Sequence, residues 1–540
     1  MRSTRIVSLL VGVVLSLGAV MAVAAGASPS LDPLFTSVPK ANTRSDGYAP
    51  ASKLSPELYQ VAVAQGSTRL ENGSPLTSYY GYNNDVLNSA GEPQMLPTPS
   101  NPGTEAHKTE PDKNTYLVFK KGLAGADPSY DYGTDFLFQG HEAGPEGHGY
   151  ITRINLDADF EHRVTLLATE DVDGNPLATI DGSTWDPFAQ RLLLTTENSS
   201  APTYAATPDY PSQVTDVSGA LGRGGYEGIQ DDSDGNLWIA EDIGGSNKPG
   251  TKARRPNSYL YRYVPRTKGN LLRGKLQALQ VLDENSDPIT FESQEALNSP
   301  DQVALHTYGK SFRTRWVTIH DTASDGNAPF AALPLARAAK ATPFKRPENG
   351  VFQPGSHFGR FYFDETGDTN ATSPENASAG GWGSIFLLSQ GDPSADTGTL
   401  RLFYEGDEAH AGFDNVAFLS RTAVTFTEDA GDTLHSQRNA LDSGWIWDTG
   451  SDYSNAANQP VRWLAEGRDS AATVDADNGG FGKNDGDNEI TGVYVSDGNP
   501  GPQGILGARI PELGTPKWRW FYTQQHGDNK TYEVLLKKQR

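Results

Sequence analysis

Acidic residues recur in this chain at the two ends of short apolar hairpins. "YEGIQDDSDGNLWIAEDIGG" has Glu227 near its start and Glu241 and Asp242 near its end. "RPENGVFQPGSHFGRFYFDETGD" carries Glu348, then Asp364 and Glu365, and "AGFDNVAFLSRTAVTFTEDAGD" carries Asp414, then Glu428 and Asp429. "DGSTWDPFAQRLLLTTEN" opens on Asp181 and ends with Glu197, with Asp186 at a turn between them; "NEITGVYVSDG" repeats the opening half with Glu489. Carboxylates gathered from several hairpins into one space repel strongly unless a cation neutralises them. The pattern therefore points to a metal site. The alternative is a set of solvated turn acids, because Asp and Gly favour turns on their own account. Repetition across several units favours the metal.

The chemistry of that site is bounded by what the chain lacks. Without a single cysteine, thiolate catalysis, disulfides, iron–sulfur clusters and zinc–thiolate sites are excluded. Any metal is held by oxygen ligands or by one of ten histidines, and oxygen ligands suit a hard cation such as calcium. A formal net charge of -23 disfavours nucleic acid and anionic membranes as partners. It also repels anionic substrates unless cations intervene.

The elements that must position these acids are short strands. Glycine (57) and proline (35) are plentiful in the 540 residues, and heptads or long amphipathic runs are absent, which favours strands joined by turns. In "DDSDGNLWIAED" an Asp-Gly-Asn turn is flanked by alternating residues, the pattern of a β-hairpin. Hairpins repeated at intervals of tens of residues read as an all-β propeller, whose inner strands converge on one channel. Before it stand an Arg-flanked apolar run ending in Val23-Ala24-Ala25, read as a signal peptide over 1–25, and an N-terminal extension over 28–113. Within the extension "LSPELYQVAVAQG" reads as a short helix. The propeller is expected over 114–540, with an inserted helix over Ala328–Lys340. The mature chain is expected to be secreted or periplasmic, with no further span across a bilayer, and monomeric.

Several motifs occurring in order resemble one family, the PhoX-type alkaline phosphatases. They are "FLFQGHEAG", "IDGSTWDP", "LLLTTEN", "YEGIQ" with "LWIAED", "FKRPENG", and "NEITGVYVSDG" with "FYTQQHGDN". They run from about residue 115 to the C-terminus. The resemblance implies a six-bladed propeller holding calcium and, in its best-known branch, ferric iron, that hydrolyses phosphate esters. Carried over residue by residue, it implies metal-ligand roles for Glu197, Glu227, Asp242 and Glu348, and phosphate binding by Arg346. Asp181 stands nearest the family's iron-binding cysteine, and a carboxylate there favours a hard cation over iron. Gly140-His141-Glu142 departs from the family's Asn-His-Glu, and Gln525-His526-Gly527 lacks its proline.

The expected chemistry is hydrolysis of a small phosphate monoester. Acids hold a calcium-rich cluster that offsets developing charge, and Arg346 holds the phosphoryl group through its planar fork. Two readings compete with it: a calcium-dependent lactonase or phytase-like propeller, and a non-catalytic secreted propeller that uses calcium structurally to present a binding face. For Arg346 the alternative role is a structural ion pair with a blade acid. His141 and His526 read as structural hydrogen-bonding residues, and Asp475–Glu489 as a solvated acidic loop.

Overall fold

Each hairpin legible in the sequence is the inner half of a four-stranded antiparallel unit. In the clearest, Tyr226–Asp231 pairs with Leu237–Glu241. The Asp232 side chain closes the turn by accepting from the backbone N–H groups of Asp234 and Asn236, and Gly235 supplies φ +77, a conformation glycine adopts without strain. The computed structural model describes residues 35–43, 51–95, 105–142, 147–250, 253–291, 299–368, 379–467, 489–525 and 529–537. The expected signal peptide therefore lies outside the described residues, as do His526 and the loop from Asp475 to Asn488.

Among the described residues six such units follow one another, the fifth widened to five strands by Lys53–Leu54. Their inner strands are Pro111–Val118, Ser183–Asp186, Tyr226–Asp231, Gly350–Phe352, Phe413–Phe418 and Glu489–Ser496, here the inner strands of blades I to VI. Each touches the next, and the last touches the first, so they close a ring. The apolar cores sit between neighbouring blades. Leu117, Phe136 and Phe138 of blade I meet Trp185 and Leu192 of blade II. Trp238 and Leu260 of blade III meet Phe352, Phe361 and Phe363 of blade IV. Tyr494 and Phe521 of blade VI meet Tyr116 and Tyr150 of blade I. Each sheet is thus apolar on both faces, and full closure is how a ring of such sheets covers them.

Two features depart from a simple ring of meanders. Phe312–Asp321 pairs with both Gly274–Leu282 and Thr397–Glu405, joining blades III and IV into one nine-stranded sheet. The helix expected over Ala328–Lys340 is present in the same insertion as Ala332–Ala338. The segment read as a short helix in "LSPELYQVAVAQG" is instead the strand Leu58–Ala64, paired with Lys530–Leu536 as the outer strand of blade VI. Its helical propensity is overridden by the open sheet edge, whose unpaired N–H and C=O groups the strand satisfies. The boundary expected between 113 and 114 falls inside Pro111–Val118, the first inner strand. Among the described residues no helix is long and apolar enough to cross a membrane.

Candidate metal centre and its arginine

An antiparallel hairpin brings the start of its first strand and the end of its second to the same side. The register shows how this aims the acids inward. In blades I, III and V the inner strand bulges just after its start: Pro111 pairs with His141 but Asn114 with Gln139, Tyr226 with Glu241 but Ile229 with Ile239, Phe413 with Glu428 but Val416 with Phe426. A bulge frees a residue from the ladder and re-aims its side chain. The residue two before the first regular pair is Asp112, Glu227 and Asp414 in these blades. In blades II and IV, whose first pairs are Ser183–Leu194 and Gly350–Phe363, it is Asp181 and Glu348. Only blade VI breaks the series, with Gly492 before the Tyr494–Phe521 pair.

A second set follows the second strands. Glu142, Asp242 and Asp429 come immediately after Asp135–His141, Leu237–Glu241 and Ala423–Glu428, and Glu197 comes three residues after Arg191–Leu194. The two sets meet. Asp112, Glu142 and Asp181 each offer an oxygen within 4.8 Å of the others, and so do Asp181, Glu197 and Glu227. Asp112, Asp181 and Glu227 are buried, while Glu197 reaches solvent.

The close approach is enforced by glycine. A Cβ on Gly182 would lie 1.9 Å from the Glu227 carbonyl oxygen and 2.6 Å from Thr195 Oγ1. Blades II and III can therefore approach this closely only with glycine at 182.

Burial and mutual repulsion both disfavour charge here. Burial, then Glu227, Asp112 and Glu142, holds Asp181 well above the usual carboxylate range. Burial, then Glu197 and Asp414, does the same to Glu227. Burial raises Asp112 to about 6 despite help from Thr491 and Lys113. Asp181 Oδ1 is buried with no hydrogen-bond partner, so at least one lone-pair site in the group is unused by the protein. Five converging carboxylates with an unused buried oxygen fit a hard cation such as calcium. His141 does not compete for it: it is buried, both its nitrogens engaged by Thr109 and Thr152, and burial pushes it down to about 3.

The opposite flank of the group is compensated by the protein's own cations. Lys113 is buried, and its Nζ donates to Asn349 Oδ1 at 3.3 Å and Asn415 Oδ1 at 2.8 Å. Desolvation lowers its pKa, opposed by Asp414, Asp112, Asp364 and Glu227. Arg346 Nε donates to Asp242 Oδ1 at 2.9 Å and its Nη2 to Asp242 Oδ2 at 2.6 Å, with Glu348 Oε1 at 3.4 Å from Nη2. Its third nitrogen, Nη1, is buried without a partner. The backbone of Arg346 is left-handed, φ +58, strain that the surroundings must hold in place. They do so closely: Thr366 N–H donates to the Arg346 carbonyl, Gly367 N–H to that of Lys345, and Lys345 Nζ forms a buried ion pair with Asp368 at 3.0 Å.

All six residues named from the sequence thus lie in two adjoining groups: Asp181, Glu197 and Glu227 at one corner, Arg346 with Asp242 and Glu348 at the other. Asp242 and Arg346 act electrostatically on Glu197, and Glu227 on Glu348, so the corners share one field. Sequence reading did not include Asp112, Glu142, Asp414 or Lys113 in the site. The signal for Asp112 was "PDKN", which matches the acid-X spacing of "PENG" and "FDNV" once the strand register is known.

No protein-family model matches the chain, and no curated protein matches its sequence. Among solved structures, the fold is similar to that of Pseudomonas fluorescens PhoX in complex with vanadate, a transition state analogue. The likeness covers 93% of this chain and 98% of that one at 11% identity, with a TM-score of 0.51. The periplasmic gluconolactonase PpgL of Pseudomonas aeruginosa is also similar, over 89% of this chain and 96% of that one at 12% identity, with a TM-score of 0.31. At 11% identity the likeness to PhoX shows a shared propeller fold.

Proposed function

We propose that this chain is an exported, monomeric, metal-dependent hydrolase of small phosphate monoesters, working at the carboxylate group of Asp112, Glu142, Asp181, Glu197 and Glu227 with Arg346. The observation that carries the reading is the Arg346 guanidinium. Asp242 grips two of its nitrogens and leaves Nη1 buried and unpaired beside a dense set of acids. A buried N–H without an acceptor is costly, and a phosphoryl oxygen supplies the acceptor. The PhoX structure with vanadate, a phosphate-like transition state analogue, supports the same chemistry on the same fold.

In this reading the acids hold calcium, whose charge offsets that of a dianionic ester and of the phosphoryl oxygens during transfer. Arg346 orients the phosphoryl group, and Asp242 fixes the guanidinium plane so that little reorganisation is needed on binding. Lys113 lowers the cost of charge on Asp364 and Asp414, although burial still raises the pKa of both. The mature chain, purified with calcium, is expected to hydrolyse a chromogenic phosphomonoester and to lose that activity to chelator. A lactone hydrolysed in its place, or neither substrate turned over while chelator still lowers the melting temperature, would replace this reading by the lactonase or the binding-module reading respectively.

A further inference from the structure

Near the Asp242–Arg346 pair along the chain lies a cavity of about 520 Å³, lined among others by Gly244, Gly245, Arg255, Asn257, Arg337 and Pro343. Its walls continue the two segments that build the arginine corner: Gly244 is two residues beyond Asp242, and Pro343 three before Arg346. On the first of these walls residues 244–246 and 255–257 are held together by the bridge Asn247–Arg254 and by Arg255 N–H donating to the Ser246 carbonyl. A Cβ on Gly245 would stand 1.9 Å from the Arg255 carbonyl oxygen, and one on Gly244 2.2 Å from Arg254 Nη1. Backbone contact therefore requires glycine at 245, while at 244 the Arg254 guanidinium can move aside.

The chemistry of this cavity is opposite to that of its neighbour. Arg255 Nε donates to the Phe291 carbonyl at 2.6 Å, and Arg337 Nη2 to Asn257 Oδ1 at 2.7 Å. Both guanidinium groups are steadied by neutral acceptors, and among the described residues neither makes an ion pair with a carboxylate. Arg223, Arg262, Arg346, Arg438, Arg509 and Arg519 all do. In a chain of net charge -23, two arginines at one cavity that form no ion pair among the described residues make a local anion-attracting field, with planar donors suited to carboxylate or phosphate oxygens.

We infer that this cavity receives a second anionic group on the alcohol portion of the substrate, so that the favoured substrates are organic phosphates carrying a carboxylate or another anion besides the scissile phosphate. This rests on the phosphomonoesterase reading and narrows its substrate class. The cavity volume suits a fragment of several carbons, and both segments that carry the phosphate-binding corner lead into it.

A matched pair of esters tests the assignment: 3-phosphoglycerate and glycerol 3-phosphate, which differ in a carboxylate against a hydroxymethyl group. Wild-type protein with calcium is expected to favour 3-phosphoglycerate in kcat/KM. The double variant R255Q/R337Q, which keeps most of the side-chain volume, should lose at least about tenfold of that preference, chiefly through KM, with glycerol 3-phosphate kinetics unchanged. An unchanged preference, or an equal loss on both esters, overturns the assignment while leaving the phosphatase reading standing. Titration calorimetry with 3-phosphoglycerate separates the two claims. If neither ester is hydrolysed but binding still weakens about tenfold in the double variant, the catalytic reading fails and the anion site stands. If wild type and variant bind alike, the anion site fails.

Discussion

Replacing Asp181 by Asn should reverse the order of stability of wild type and variant according to whether calcium is present. The ligand oxygens of Asp112, Glu142 and Asp181, and of Asp181, Glu197 and Glu227, lie within 4.8 Å of one another. At an effective dielectric of about 20, two ionised carboxylates at that separation repel by about 3.5 kcal/mol. Asp181 belongs to both groups, so its charge is the most heavily opposed, and removing it relieves at least two such pairs. Protonation relieves most of the same strain in the wild type, whose Asp181 is held well above the usual carboxylate range, so a net gain of about 1–2 kcal/mol for calcium-free D181N is the expected figure. Calcium at a thousand times its dissociation constant adds about 4 kcal/mol to the wild type. In a chain of this size that is a rise of about 4 °C in melting temperature. D181N lacks one anionic ligand and should show less than half of that rise. The assay is a thermal melt of both proteins in chelator and in millimolar calcium at pH 8. D181N should melt above wild type in chelator and below it in calcium. The same order in both conditions, or a wild-type melt indifferent to calcium, would refute the claim that these carboxylates form a cation site.

R346K keeps the charge but loses the fork that grips Asp242, so kcat/KM for a phosphomonoester should fall by about 10–100-fold, with the calcium-induced rise in melting temperature retained; unchanged kcat/KM would remove Arg346 from the phosphate site. G182A places a methyl group against the Glu227 carbonyl and should cost about 1–3 kcal/mol by overpacking, together with a weaker calcium response in the melt; a neutral result would mean that blades II and III are not held at close approach. His306 is buried, and although burial works against its charge, Glu405 and Glu365 raise its pKa above 6.5. A raised folded value means stability present below 6.5 and lost as pH rises through the folded pKa, so wild type should lose stability on that rise by about 1.4 kcal/mol per unit of difference, and H306Q should flatten the slope, as read from urea melts between pH 6 and 9.

Which acids were legible in the sequence follows from how a bulge encodes direction. Glu227, Glu348 and Asp181 stand before clear apolar runs, so the hairpin pattern alone marked them, and the alternation in "NLWIAED" marked the strand that ends at Asp242. Asp112 lies in the same structural position, but its strand follows a polar, proline-rich stretch, and its own residues, Asp112-Lys113-Asn114-Thr115, show no apolar alternation. They are buried all the same, because the inner strand of a closed ring faces other inner strands and a polar channel, not solvent. Composition cannot distinguish that environment from a surface loop. Leu58–Ala64 reads as a helix in the sequence for the complementary reason: its partner lies more than 460 residues away at Lys530–Leu536, and ring closure by the N-terminal strand leaves no local trace. Arg346 shows the same limit in reverse. "KRPENG" places a proline between two charges, and the expected picture has Arg346 aimed at phosphate and Glu348 at metal. The structure adds Asp242, 104 residues away, as the group that orients the guanidinium. An arginine fully satisfied by carboxylates would be a structural ion pair, and one gripped on two nitrogens with the third buried and unpaired fits the proposed role of a binding group with its orientation already set. That difference rests on a single atom, Nη1, which is why R346K is a sharper test of this site than any change to the acids around it.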